Sequence, residues 1–133
     1  MNFIKGTIER NGNLLTLVED NPNGTPARID FDDNLSRRGA DYVGKKIVFG
    51  IRPEDVQDAL TVSEDRAAEA INVTVEVSEP MGHETNLYLD TGAHSFIARV
   101  HSDHKFEANQ QIKIVFNLEN AHIFDAETEK TIF

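Results

Sequence analysis

The stretch Ile71-Asn72-Val73-Thr74-Val75-Glu76-Val77-Ser78 decides the fold. Its apolar side chains fall at every second position, and period two is the mark of a strand with one face in a core and the other in water. The same pattern sets Ile112, Ile114, Phe116 and Leu118 against Lys113, Asn117 and Glu119, and Ile47, Phe49 and Ile51 against Lys46 and Arg52. These runs are β-branched and aromatic, as strands prefer. Between them stand turn signals: Asn11-Gly12, suited to a type I′ hairpin, Asn21-Pro22-Asn23-Gly24, and Asp90-Thr91-Gly92. Helix has little room. A turn or two is expected around Ser36–Val43, interrupted by Gly39, and another around Ser63–Ala70, with Ser63 as cap and Glu64 and Asp65 in the first turn.

Laid on itself, the chain repeats weakly at an offset of 67, which carries Lys46-Ile47-Val48-Phe49 onto Lys113-Ile114-Val115-Phe116 and Ile4, Gly6 and Ile8 onto Ile71, Val73 and Val75. A duplication explains both matches. The expected organisation is a first lobe over 1–56, an acidic linker over 57–69 and a second lobe over 70–133, with the last strand free to return to the first lobe. Lobes this small need one another's surface to be stable. About five short strands per lobe with regular turns predict an all-β protein of two small OB-like barrels packed together, with at most short helical turns. An open sandwich is the alternative, and closure is favoured because it removes free strand edges.

The chain has 133 residues and 13 basic against 23 acidic groups, a formal net charge of -10. Residues 1–60 hold 8 basic and 10 acidic groups, so 61–133 hold the remaining 5 and 13. Nucleic-acid affinity depends on basic groups releasing counterions, so no nucleic-acid partner is expected. Cysteine is absent, which excludes disulfides, thiolate metal sites and a cysteine nucleophile. No apolar run reaches the roughly 18 residues of a membrane span, and the first residues do not read as a signal peptide. The expectation is a soluble cytoplasmic chain.

Catalytic patterns are thin. Gly44-Lys45-Lys46 lacks the upstream glycine and the following hydroxyl residue of a phosphate-binding loop. Asp30, Asp32, Asn34 and Asp41 fit four positions of a calcium-loop template, but Leu35 stands where its glycine belongs. His94, His101 and His104 have no completing ligand at a recognised spacing, and Ser95, His101 and Asp103 lack the context of a nucleophile. The eight Phe are read as core rather than as base-stacking platforms. Two segments exceed what packing needs. In Gly50-Ile51-Arg52-Pro53-Glu54-Asp55 a strand stops at a proline flanked by a cation and two carboxylates. In Glu79-Pro80-Met81-Gly82-His83-Glu84-Thr85 a polar kink joins two apolar strands, and its His-Glu-Thr is available for recognition.

Together with Met1-Asn2-Phe3 and Ala121-His122-Ile123-Phe124-Asp125, these segments resemble, in order and over essentially the whole chain, the C-terminal regulatory (TOBE/OB-like) region of the ATP-binding subunits of carbohydrate-type ABC importers, of the maltose and glycerol-phosphate kind. His83 departs from the Gly-Asn-Glu-Thr usual there. The resemblance implies two OB-like barrels that follow an ATPase domain and help the subunit to dimerise. It implies ATP and Mg in that catalytic domain and no catalytic residue, cofactor or metal in this chain, which lacks its motifs; Met1 is then expected to be an internal methionine of a longer protein. It implies permease subunits in the membrane as partners, a cytoplasmic regulatory protein as a further one, and a location at the inner face of the cell membrane. The expected role is a non-catalytic hinge contact between two copies during ATP-driven import of a sugar or sugar phosphate. Arg52, Pro53, Glu54, Asp55, Gly82, His83, Glu84 and Thr85 are the expected interface residues: Arg52 donates charge-assisted hydrogen bonds, Pro53 fixes the corner and Glu84 accepts. A docking or small-ligand sensing domain is the alternative. Oxyanion-binding relatives carry a Ser-Ala-Arg-Asn type motif that is absent here.

Overall fold

In a computed structural model, which describes residues 1–22, 24–101 and 105–132, the strands expected from alternation are present and all paired antiparallel. They are β1 (Asn2–Asn11), β2 (Leu14–Glu19), β3 (Arg28–Asp30), β4 (Lys46–Ile51), β5 (Val56–Asp58), β6 (Ile71–Met81), β7 (Glu84–Asp90), β8 (Ser95–Val100), β9 (Gln111–Phe116) and β10 (His122–Asp125). They form two five-stranded sheets, ordered β10-β4-β1-β2-β3 and β5-β9-β6-β7-β8. The fold is all-β and OB-type, with two short helices, α1 (Asp33–Arg38) and α2 (Glu64–Ala67).

The repeat is visible in the pairing. β1 lies between β2 and β4 as β6 lies between β7 and β9. Ile4 faces Phe49 in the first sheet while Ile71 faces Ile114 in the second, a slip of two residues from strict repetition. A slip of two leaves each buried face unchanged because side chains alternate with period two. The outermost strands are exchanged: β5 follows β4 in the chain but pairs with β9, and β10 follows β9 but pairs with β4. Each sheet is completed by the other half of the sequence. Residues 57–69, read above as a linker, thus begin inside β5, and Asp58 is buried there.

One core serves both sheets. Ile4, Ile8, Leu17 and Ile47 enter it from the first, and Val75, Leu87, Leu89 and Ile114 from the second. Phe49 and Phe116, equivalent in the repeat, meet edge to face with centroids 5.3 Å apart and ring planes at 62°.

Several local expectations are corrected. The first hairpin closes on the pair Asn11 and Leu14, so its loop is Gly12-Asn13 with φ +64° at Gly12 and no positive φ at Asn13. That is the glycine-first pattern of type II′ rather than the Asn-Gly of type I′. α1 starts before Ser36: the Asp32 side chain caps it by accepting from Leu35 N at 2.8 Å, Asp33 stands in the first turn, and Arg37 and Arg38 in the last. Ser36 is buried and its Oγ accepts from Leu15 N at 2.9 Å. Ser63 occupies the N-cap position of α2 but its hydroxyl makes no capping bond. Val77 is exposed, because the pairing of β6 with β7 shifts between Val75 and Val77. Such a bulge inverts the alternation beyond it.

Candidate functional site

The two segments singled out by sequence flank one strand. Arg52 is exposed at the N-cap of a 3-10 turn, Pro53–Asp55, that packs against β8. Pro53 opens the turn, where its missing N–H costs nothing. Among the described residues Arg52 makes no ion pair. Glu54 is exposed beside it. Asp55 differs from the expectation of a surface contact. It is buried, its Oδ1 accepts from Asn120 Nδ2 at 2.9 Å, and its carbonyl accepts from Asn117 N at 2.8 Å. Asn120 lies in the matching 3-10 turn after β9, Leu118–Asn120, so the two strand-exchange crossings are bonded to each other. On the other side of β8, Gly82 and His83 form the exposed two-residue loop between Met81 and Glu84. Thr85 is buried and paired with Val100, and it too belongs behind the surface. Glu84 is half-exposed and meets Arg99 Nε at 3.6 Å and His101 Nε2 at 3.3 Å.

The strongest polar constellation was missed. Glu19 ends β2 with a side chain 1% exposed. Its Oε1 accepts from Ala27 N at 3.1 Å and Asn21 Nδ2 at 3.3 Å, and its Oε2 faces the Thr91 hydroxyl and His94 Nδ1, the latter at 2.6 Å. His94 Nε2 accepts from Lys5 N at 3.1 Å, so the ring proton that faces Glu19 sits on Nδ1. The first sheet is thereby bonded to the loop before β8. Asn2 adds a second lock: its Nδ2 donates to Ile97 O at 2.7 Å and its Oδ1 accepts from Ile97 N at 2.9 Å, as a neighbouring strand would.

His94 and His101 are engaged separately, with Glu19 and Glu84. His104, Asp103 and Asn23 lie outside the described residues. Ser95 pairs with Asp90 across β7 and β8. In the calcium-loop template, Asp30 accepts from Thr16 Oγ1 at 2.8 Å and Asp32 caps α1. Among the described residues no group of three or more His, Asp or Glu is placed to hold a metal ion, and no helix is long and apolar enough to cross a membrane.

The aromatic residues divide. Phe31, Phe49, Phe96 and Phe116 are buried, as read from sequence. Phe3 is 53% exposed and Phe124 is half-buried, so these two depart from the core reading. Both rings, with the Met1 sulfur, lie over Gly50, where an added Cβ would stand 2.8 Å from Met1 Sδ and 3.0 Å from Phe124 Cε2. Glycine leaves room there for that close approach.

Comparison with known proteins places this geometry. A family model described as the TOBE domain matches residues 49–124, and one described as the MalK OB fold domain matches 1–56. The multiple sugar-binding transport ATP-binding protein MsmK of Streptococcus mutans is 41% identical over 91 residues, 68% of this chain and 24% of that protein. The oligosaccharides import ATP-binding protein MsmX of Bacillus subtilis is 35% identical over 68% of this chain and 25% of its own length. The trehalose/maltose import ATP-binding protein MalK of Thermococcus litoralis is 34% identical over 69% of this chain and 25% of its own length. The chain thus spans about a quarter of these relatives. Among solved structures, the cytoplasmic molybdate-binding protein ModG matches with a TM-score of 0.60, covering 92% of this chain and 94% of that one. At 14% identity this shows a shared fold.

Proposed function

Because the chain belongs to the TOBE-domain family, in the form found in the C-terminal region of sugar ABC importer ATP-binding subunits, we propose that it is the region through which two such subunits stay in contact while their ATPase domains open and close. The TOBE region is non-catalytic, and ATP and Mg belong to the ATPase domain of the parent subunit. The parent works with membrane-spanning permease subunits at the inner face of the cell membrane, with no nucleic-acid partner. The homodimer contact uses the exposed Arg52, Glu54, Gly82, His83 and Glu84, while Pro53, Asp55 and Thr85 hold those groups from behind.

The observation that supports this reading is an unpaired guanidinium on a rigid corner. Arg52 has no carboxylate partner among the described residues, yet the turn beneath it is fixed by proline and bonded through Asp55 to the opposite crossing. An exposed guanidinium is free to form charge-assisted hydrogen bonds with a partner's carboxylate, and the fixed turn spares the backbone share of the ordering cost. The test is light scattering across concentration on the wild type, Arg52→Ala and Glu84→Ala. A dimer weakened by either substitution is expected. A strict monomer at every concentration would overturn self-association and leave docking of a regulatory protein or sensing of a small ligand, the second reading, which a groove on the first sheet favours.

A further inference from the structure

The outer face of the first sheet carries a groove of about 470 Å³ that includes none of the residues proposed for self-association. That size lies within the ~300–1,000 Å³ of small-molecule sites. Its floor follows from register: Lys5, Val48 and Phe124 form one cross-strand row, and Phe3 joins them from the next row, which it shares with Gly50 and His122 outside the groove. Phe3 and Phe124 meet edge to face, 6.2 Å between centroids with planes at 64°. Phe3 is 53% exposed, and Gly50, with no side chain of its own, leaves room for both rings beside it.

The rim decides what the floor can take. Lys46 is tied to Asp20 at 3.1 Å, while Lys5 has no ion pair among the described residues. Asp125 and Glu129 also line it, in a turn held beside Lys46 by Ala126 N on Lys46 O and by Glu129 N on Asp125 O. Two lysines against three carboxylates disfavour an anion. An ammonium donor and carboxylate acceptors around an exposed aromatic ring instead complement a ring that is apolar on its face and hydroxylated at its edge, and carries no charge.

We infer that this groove binds a short neutral carbohydrate, whose C–H face stacks on the exposed Phe3 ring beside Phe124, with hydroxyls that accept from Lys5 Nζ and donate to Asp125 and Glu129. Sugar phosphates and nucleotides are excluded by the carboxylates. The site goes beyond self-association, and its failure would leave the light-scattering result untouched.

The test is a titration of the whole chain followed by proton–nitrogen correlation spectra, with maltose and maltotriose as probes and sorbitol and glucose 6-phosphate as controls. Saturable shifts at Phe3, Lys5, Val48 and Phe124 with the two sugars are expected. Phe3→Leu, which keeps apolar bulk at an exposed position, should weaken binding about fivefold to tenfold, whereas Phe3→Tyr should retain it. No shift at tens of millimolar sugar, an equal response to sorbitol, or tighter binding of glucose 6-phosphate would overturn the assignment. So would concentration-dependent shifts at these residues without sugar, which would mean that a second copy covers the face.

Discussion

Glu19→Gln is nearly isosteric, yet it should be costly because of what surrounds the carboxylate. Four donors converge on Glu19: Ala27 N, Asn21 Nδ2, the Thr91 hydroxyl and His94 Nδ1. An amide keeps one acceptor oxygen and turns two N–H groups towards the remaining donors. His94 cannot adapt. Moving its proton from Nδ1 to Nε2 would accommodate the new amide but would set Nε2–H against Lys5 N–H, whose hydrogen bond at 3.1 Å would be lost. With the proton on Nδ1 a part-buried donor at residue 19 is left unpaired, and with it on Nε2 the exposed Lys5 N–H loses its acceptor, a cost of about 1–2 kcal/mol. Taking ~2 kcal/mol, the melting temperature of a chain this size should fall by about 6–10 °C. Urea unfolding followed by circular dichroism measures the loss, and long-range nitrogen-15 spectra of the imidazole report the tautomer. A double-mutant cycle with His94→Asn should give a coupling above about 1 kcal/mol, as contacting groups in one network do. Stability within ~0.5 kcal/mol of wild type, the usual range for a surface change, or a wild-type ring carrying its proton on Nε2, would refute the reasoning.

Two further outcomes follow from packing. In Gly6→Ala the new Cβ would stand 2.5 Å from Val18 O and 2.7 Å from Leu17 Cδ1, so β2 must move away; a loss of about 1–3 kcal/mol in urea unfolding is expected, and an unchanged midpoint would show that the strand yields freely. Fragments 1–68 and 69–133 should each lack a cooperative melt alone and regain one when mixed, because the fifth strand of each sheet resides on the other fragment; a cooperative melt of either alone would contradict that dependence.

Strand identity was legible because alternation survives wherever one face of a strand meets a core, as in Ile71, Val73 and Val75. The repeat told which strands are equivalent. It could not tell which sheet each fifth strand joins, since the short turns at Pro53–Asp55 and Leu118–Asn120 lead equally well to either neighbour. The cap of α1 was readable: Asp32, an acidic first turn and Arg37-Arg38 at the end form a complete signature, in which Ser36 is an interior residue rather than the start. Phe3 was readable too, since period two places it with Lys5, opposite Ile4 and Ile8. The contact between Glu19 and His94 joins residues 75 apart and leaves no local trace in either segment. Asp55 looked like a surface acid because its partner, Asn120, belongs to the other half of the repeat.

The exchanged strands also settle where this molecule can bend. A displacement applied to one half reaches the other through β5 and β10 loaded along their length, so the ladder bonds from Val56–Asp58 to Ile114–Phe116 and from His122–Asp125 to Ile47–Gly50 resist it together in shear. Two lobes stitched in this way turn as one lever arm. In the function proposed above, where two subunits stay in contact while their ATPase domains open and close, the angular change would then fall outside the chain's own core, at its contact with the second copy and at its junction with the ATPase domain.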